Sequence, residues 1–164
     1  MAEAPRQRAL ADDLNRAIVN ENDSWRGIYD GVEAPAWYLR LLTQLLLLID
    51  DNEIKYLTSR VDYGESSFEF ELLVFTETKV VTARGKGTTS DDVNAEVWAQ
   101  GRSAISRVSI SGGHGPYVHE LGSTSWPGRV VIKVTLDDQE LTLPAGRARS
   151  DALVGFLPSL LRGL

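Results

Sequence analysis

The chain of 164 residues contains no cysteine, which excludes disulfides and thiolate metal sites together and fits a reducing compartment. It has two histidines, so any imidazole chemistry must come from His114 or His119. The opening residues, Met-Ala-Glu-Ala-Pro-Arg-Gln-Arg, lack the apolar core of a secretory signal, and a cytoplasmic protein is expected. Nowhere is there the run of ~20 apolar residues that a spanning helix needs. Lysine is scarce beside arginine, a bias that fits GC-rich coding and a bacterial source. The formal net charge of −6 argues against nucleic-acid binding, which requires a basic face that releases counterions. Arg147, Arg149 and Arg162 make only the C-terminal stretch basic, and beside a helix they read as solubilising or carbonyl-capping residues.

What is present reads first as helix. Leu10, Leu14, Ala17 and Ile18 recur at helical spacing after Pro5, and predict an amphipathic helix over residues 6–20. Residues 20–31 are rich in turn formers and predict an exposed connection. Pro35 then opens a helix over 36–50 in which Trp37, Leu39, Leu41, Leu42, Leu45, Leu46, Leu47, Leu48 and Ile49 are interrupted by the polar Arg40, Thr43 and Gln44. Such a helix is apolar nearly all round, so one side can cover its own core while another calls for a second protein surface.

From residue 53 the pattern changes to β. Ile54, Tyr56 and Val61 begin it. Phe68, Phe70 and Leu72 then alternate with Glu69 and Glu71, Glu77-Thr78 makes a tight turn, and 79–84 returns as a hairpin partner. Residues 85–92 predict a loop. Short β-branched segments follow at 95–99, 105–110 and 130–136, and the turn at Asp137-Asp138-Gln139 leads into 140–143. Ser150-Asp151 supplies an N-cap for a closing helix striped with Leu153, Phe156, Leu157, Leu160 and Leu161, in which Pro158 predicts a kink or an early stop.

Six or seven antiparallel strands followed by one helix suit a bent sheet or open barrel plugged by that helix, a mainly β, α+β arrangement. In that order of elements, Phe75-Thr76-Glu77-Thr78-Lys79-Val80-Val81, Ile105-Ser106-Arg107-Val108-Ser109-Ile110 and the closing 136–143 hairpin with its helix resemble bacterial pleckstrin-homology-like domains over residues 53–164. Residues 1–52 lie outside the resemblance as a helical extension. The resemblance implies a binding or assembly module with no catalytic residues to carry over and no cofactor. Only Lys79, Arg84 and Lys86 stand near the hairpin where some relatives hold phosphoinositides, so lipid head-group binding is disfavoured.

The stretch Ser111-Gly112-Gly113-His114-Gly115-Pro116-Tyr117-Val118-His119-Glu120 gathers both histidines beside a carboxylate, and His114, His119 and Glu120 form an alternative metal or catalytic set. Their spacing fits no common site. Neither the Gly85-Lys86-Gly87 segment nor any serine has the context of a phosphate loop or a nucleophile elbow. The expected function is therefore a non-catalytic interaction or scaffold domain, self-associating or docking a protein partner. Trp37, Leu41, Leu45 and Leu48 would act on the second helix, and Trp25 and Trp126 as loop-borne aromatic anchors.

Overall fold

The computed structural model describes residues 3–27, 33–89, 92–115, 126–146, 150–162 and 164. Helix α1 spans Glu3–Glu21, a 3-10 turn Asp23–Gly27, and helix α2 Ala36–Ile49. Strands β1 (Tyr56–Tyr63), β2 (Phe68–Phe75), β3 (Lys79–Thr89) and β4 (Asp92–Gly101) follow, then a short 3-10 turn at Arg102–Ala104. Strands β5 (Ile105–Gly112), β6 (Val130–Leu136) and β7 (Gln139–Leu143) and helix α3 (Ser150–Leu161) complete the order. The strands form two antiparallel meanders, β1-β2-β3-β4 and β5-β6-β7, which do not close into a barrel. Antiparallel sheets with a C-terminal helix are compatible with the pleckstrin-homology-like architecture. No helix among the described residues is long and apolar enough to cross a membrane.

The four-stranded sheet is covered on both sides. On one face α1, the first 3-10 turn and α2 bury Leu14, Ile18, Trp25, Trp37, Leu41 and Leu45 against Phe68, Phe70, Leu72, Val74, Val81 and Ala83. On the other, Tyr56, Leu73, Phe75 and Val80 meet the second sheet and the Leu153, Phe156 and Leu160 stripe of α3. Strand β2 is the shared wall. Its inner half, Leu72 to Phe75, is fully buried on both faces, which its continuous apolar run suits.

The second face is covered only over half its length, and the uncovered half shows why those strands carry charge. Register places Arg60 opposite Glu71, Glu71 opposite Arg84, and Arg84 opposite Glu96, a row of alternating sign across four strands. Arg84 Nε lies 2.6 Å from Glu71 Oε2 and Lys86 Nζ 2.9 Å from Glu69 Oε1. The Lys79 ammonium donates to the Leu48 carbonyl at 3.1 Å. All three cations of the β2–β3 hairpin are thus committed within the chain.

Two local expectations are corrected. Residues 85–89 continue β3 instead of forming a loop, because the glycines there make room for aromatics on the neighbouring strand: Gly85 faces Phe70 and Gly87 faces Phe68. A Cβ at Gly85 would stand 2.3 Å from the Phe70 ring, and that ring cannot step aside, being held between Trp25 and Trp37 at centroid distances of 5.0 and 5.7 Å. Residues 23–27 are likewise no exposed connection but the 3-10 turn that delivers Trp25 into the core. Pro158 lies inside α3, which runs on to Leu161.

Two outcomes follow for stability. Gly85→Ala should lower the unfolding free energy by about 1–3 kcal/mol, the usual cost of overpacking, measured by urea denaturation with Gly64→Ala as the exposed-site comparison. A chain beginning at residue 53 leaves Phe68, Phe70, Leu72 and Val74 without their helical cover, and should show no cooperative thermal transition by circular dichroism.

Candidate functional site

The richest cluster of polar groups sits where α1 ends against the edge of β1. After Glu21 the helix stops in an Asx turn, the Asn22 side-chain oxygen accepting from the Ser24 amide at 3.0 Å. The following 3-10 turn points Trp25 inward, where it is fully buried and tilted against Phe70 and Tyr38. A buried indole N–H needs an acceptor. Trp25 Nε1 donates to Ser59 Oγ at 2.8 Å, and Ser59 Oγ donates onward to Glu21 Oε2 at 2.6 Å. The other carboxylate oxygen accepts from Thr58 Oγ1 at 3.2 Å, while that hydroxyl accepts from the Ala145 amide at 3.0 Å.

Thr58 and Ser59 are neighbours on an edge strand and point to opposite faces of the sheet. The Glu21 carboxylate therefore straddles the edge of β1 and grips both faces, and the Ser59 backbone amide contributes a further hydrogen bond. Asn22 Nδ2 reaches the Ser59 carbonyl at 3.4 Å. Gly146 passes so close that a Cβ there would lie 2.5 Å from that same carbonyl oxygen. Side chains thus stand in for the strand that β1 lacks on its outer side.

Around this point opens a polar cleft of about 940 Å³, walled by residues 20–24 and 59–63 and by Ala145 and Gly146. Tyr63 closes one side by donating its hydroxyl to the Ser24 carbonyl, and Arg60 pairs with Asp62 at 3.0 Å. Burial raises the Glu21 pKa above the ordinary carboxylate range, against the lowering effect of the Ser59 and Thr58 hydrogen bonds. The position adds to that tendency, because a carboxylate at a helix C-terminus faces the negative end of the dipole. Burial also pushes the Tyr56 phenol up to about 12, with the Thr58 hydrogen bond opposing and the Glu21 charge reinforcing. Chemically the carboxylate is an acceptor already committed on both oxygens, one to the Ser59 hydroxyl and one to that of Thr58.

A second polar device lies at the turn between β2 and β3. Arg102 is 5% exposed, and its Nη1 donates to the Thr76 carbonyl at 3.1 Å and to Ser159 Oγ at 3.3 Å. Its Nη2 donates to the Ser159 carbonyl, and its guanidinium sits 5.6 Å from the Phe156 ring centroid. Burial lowers the Arg102 pKa, opposed by the charge of Glu77 and aided by that of Arg162. Placed at the C-terminal turn of α3, the cation fastens that helix to the β2–β3 turn.

The residues singled out from sequence fall in different places. Trp25, expected as an exposed anchor, is 0% exposed and belongs to the core. Trp37, Leu41 and Leu45 are at most 4% exposed, because the side of α2 bearing them is the side laid on the sheet, so they offer no surface in the single chain. Leu48 is half-buried at a shoulder of the helix. The exposed leucines of α2 are Leu39 and Leu47, at 52% and 75%, and Trp126 is exposed at 64%. His114 donates its backbone amide to the Pro127 carbonyl at 2.7 Å, and its ring lies over Gly128, where a Cβ would come within 2.2 Å of it. His119 and Glu120 lie outside the described residues. Among the described residues no group of three or more acidic or histidine side chains is arranged to hold a metal ion.

Sequence reasoning passed over Glu21 and Arg102. The spacing of Glu21 from Ser59 carries no motif, and Arg102 follows a strand like any solvated arginine. A signal existed for Trp25, since a tryptophan within a polar turn must either be exposed or find an acceptor, and Ser59 is that acceptor.

Comparison with protein-family models, with curated proteins and with solved structures gave no match.

The raised Glu21 pKa has a definite sign in stability. The folded state holds the proton more tightly than the unfolded chain, so this group's contribution is greatest below the ordinary carboxylate pKa and declines as pH rises through the raised folded value. Glu21→Gln removes the titration, and its unfolding free energy should lose that decline relative to wild type in denaturation series run from pH 4 to pH 8.

Proposed function

We propose that the protein is a non-catalytic interaction module of the bacterial pleckstrin-homology-like kind, self-associating or docking a protein partner through the outward side of α2. The observation that carries this reading is the pair Leu39 and Leu47, exposed at 52% and 75%, on a helix whose opposite side is core. With Thr43 between them they recur at four-residue spacing, so they line one side of the helix. Half-buried Leu46 and Leu48 flank them. A single exposed leucine is ordinary, whereas a leucine strip on one helix resembles the anchor pattern of helix-mediated docking.

The reading is tested with a Leu39→Glu, Leu47→Glu double variant, whose changes lie on the solvent side and should leave thermal unfolding within a few degrees of wild type. The wild type is expected to show a defined assembly by sedimentation velocity or to retain a stoichiometric protein partner, and the double variant to lose it. Identical mass and identical bound protein in both would refute docking through α2.

A further inference from the structure

The two edges of the four-stranded sheet are treated differently by the rest of the chain. Along β1, Glu21 and Asn22 occupy the outward backbone groups of Ser59, and α1 with Gly146 fills the space beside them. Along β4 no backbone hydrogen bond from the side away from β3 occurs among the described residues. Between Val93 and Gly101 the strand carries one charge, Glu96, and neither proline nor lysine, the residues that ordinarily guard an edge. Its inward residues Val93, Ala95, Val97 and Ala99 are packed on the helical-side core, yet each described as only partly buried. The apolar layer between α2 and the sheet therefore stops at β4 with its side open.

We infer that this edge pairs with β4 of a second copy of the chain, antiparallel about a two-fold axis, joining two four-stranded sheets into one continuous sheet. The inference deepens the self-association reading above and rests on it for the partner's identity. Two-fold antiparallel pairing sets residue i opposite a residue of the same parity, so apolar positions meet apolar positions on one face and polar meet polar on the other. Charge narrows the registers, and the valine at the middle of the apolar row sets the centre we adopt. Centring on Glu96 would set two carboxylates face to face, which is destabilising. Centring on Val97 sets Val97 against Val97, Ala95 against Ala99, Asn94 against Gln100 and Glu96 against Trp98.

That last pair brings a carboxylate towards a cation. Within one chain the Arg84 guanidinium lies 5.6 Å from the Trp98 ring centroid, so Glu96 of one copy arrives beside the Arg84 of the other. In this register no two carboxylates stand directly opposite; the two Glu96 residues are diagonal neighbours roughly 7–8 Å apart, each beside an Arg84. The β1 edge is already occupied, so assembly ends at two copies and does not propagate as a filament.

Because the chain has no cysteine, single cysteines report the register directly. Directly opposed residues of an antiparallel pair have Cβ atoms roughly 4.5–5.5 Å apart, within reach of a disulfide or a short bis-maleimide. Val97→Cys should cross-link to a covalent dimer at micromolar concentration. Ala95→Cys alone and Ala99→Cys alone should not, while a mixture of the two should. Circular dichroism identifies any variant that fails to fold, and the other cysteine positions then carry the test. A second pair of variants reads the same contact by sign: Trp98→Glu and Trp98→Lys lose the same ring, but only the first places a carboxylate opposite Glu96. The dimer dissociation constant should be about tenfold weaker for Trp98→Glu than for Trp98→Lys, since the pair occurs twice per dimer. A wild type that sediments as one chain at 100 micromolar, no cross-link at 97, or equal cross-linking at 95, 97 and 99 would overturn the inference. Cross-linking at 97 with unchanged behaviour of the Leu39, Leu47 variant removes docking through α2 and keeps the paired edge. Loss of assembly in that variant with no cross-linking at 97 does the reverse.

Discussion

Everything on the helical side of the molecule depends on one carboxylate. Two hydroxyls on β1 each receive an N–H, Ser59 from the Trp25 indole and Thr58 from the Ala145 amide, so each directs its own hydrogen to a further acceptor. Glu21 is that acceptor, with one oxygen for each. The arrangement fixes the end of α1, the entry of Trp25 into the core and the course of the chain at 145–146 in a single network. Its members lie 37 or 38 residues apart along the chain between α1 and β1, so the contact is made by tertiary structure and not by neighbours. The burial that makes the network effective also works against the charge it requires.

That tension separates what could be read in the sequence from what could not. Strands and helices announce themselves through periodicity, and the hairpin at 67–84, the turn at Asp137-Asp138 and the stripe on α3 all lie where the alternation of apolar and polar residues puts them. Periodicity fails where a residue is chosen for its neighbour across space. Gly85 and Gly87 look like loop residues until Phe70 and Phe68 are seen opposite them. Trp25 sits among Asn, Asp, Ser and Arg, and its burial depends on a serine far along the chain. The exposed strip of α2 was equally illegible, because a helix rich in leucine on every side does not say which leucines its own sheet will cover; contact with the sheet takes Leu41 and Leu45 and leaves Leu39 and Leu47.

Arg102 illustrates the same limit with the opposite charge. A guanidinium surrounded by carbonyls, with no carboxylate in direct contact among the described residues, is held by dipoles: those of the Thr76 and Glu77 carbonyls and that of the last turn of α3. Glu21 at the end of α1 stands against a helix dipole, and Arg102 at the end of α3 stands with one. The two polar devices fasten the two helical caps to the same sheet, one at the edge of β1 and the other at the turn between β2 and β3.

The double burial of β2 has a consequence for how the molecule comes apart. Leu72 and Val74 belong to the core beneath α1 and α2, and Leu73 and Phe75 to the core beneath α3, so successive residues of one strand serve two separate cores. Neither core can loosen without releasing the backbone that anchors the other. The caps on opposite faces are thus mechanically one unit, and a perturbation on either face reaches the other across the width of a single peptide strand.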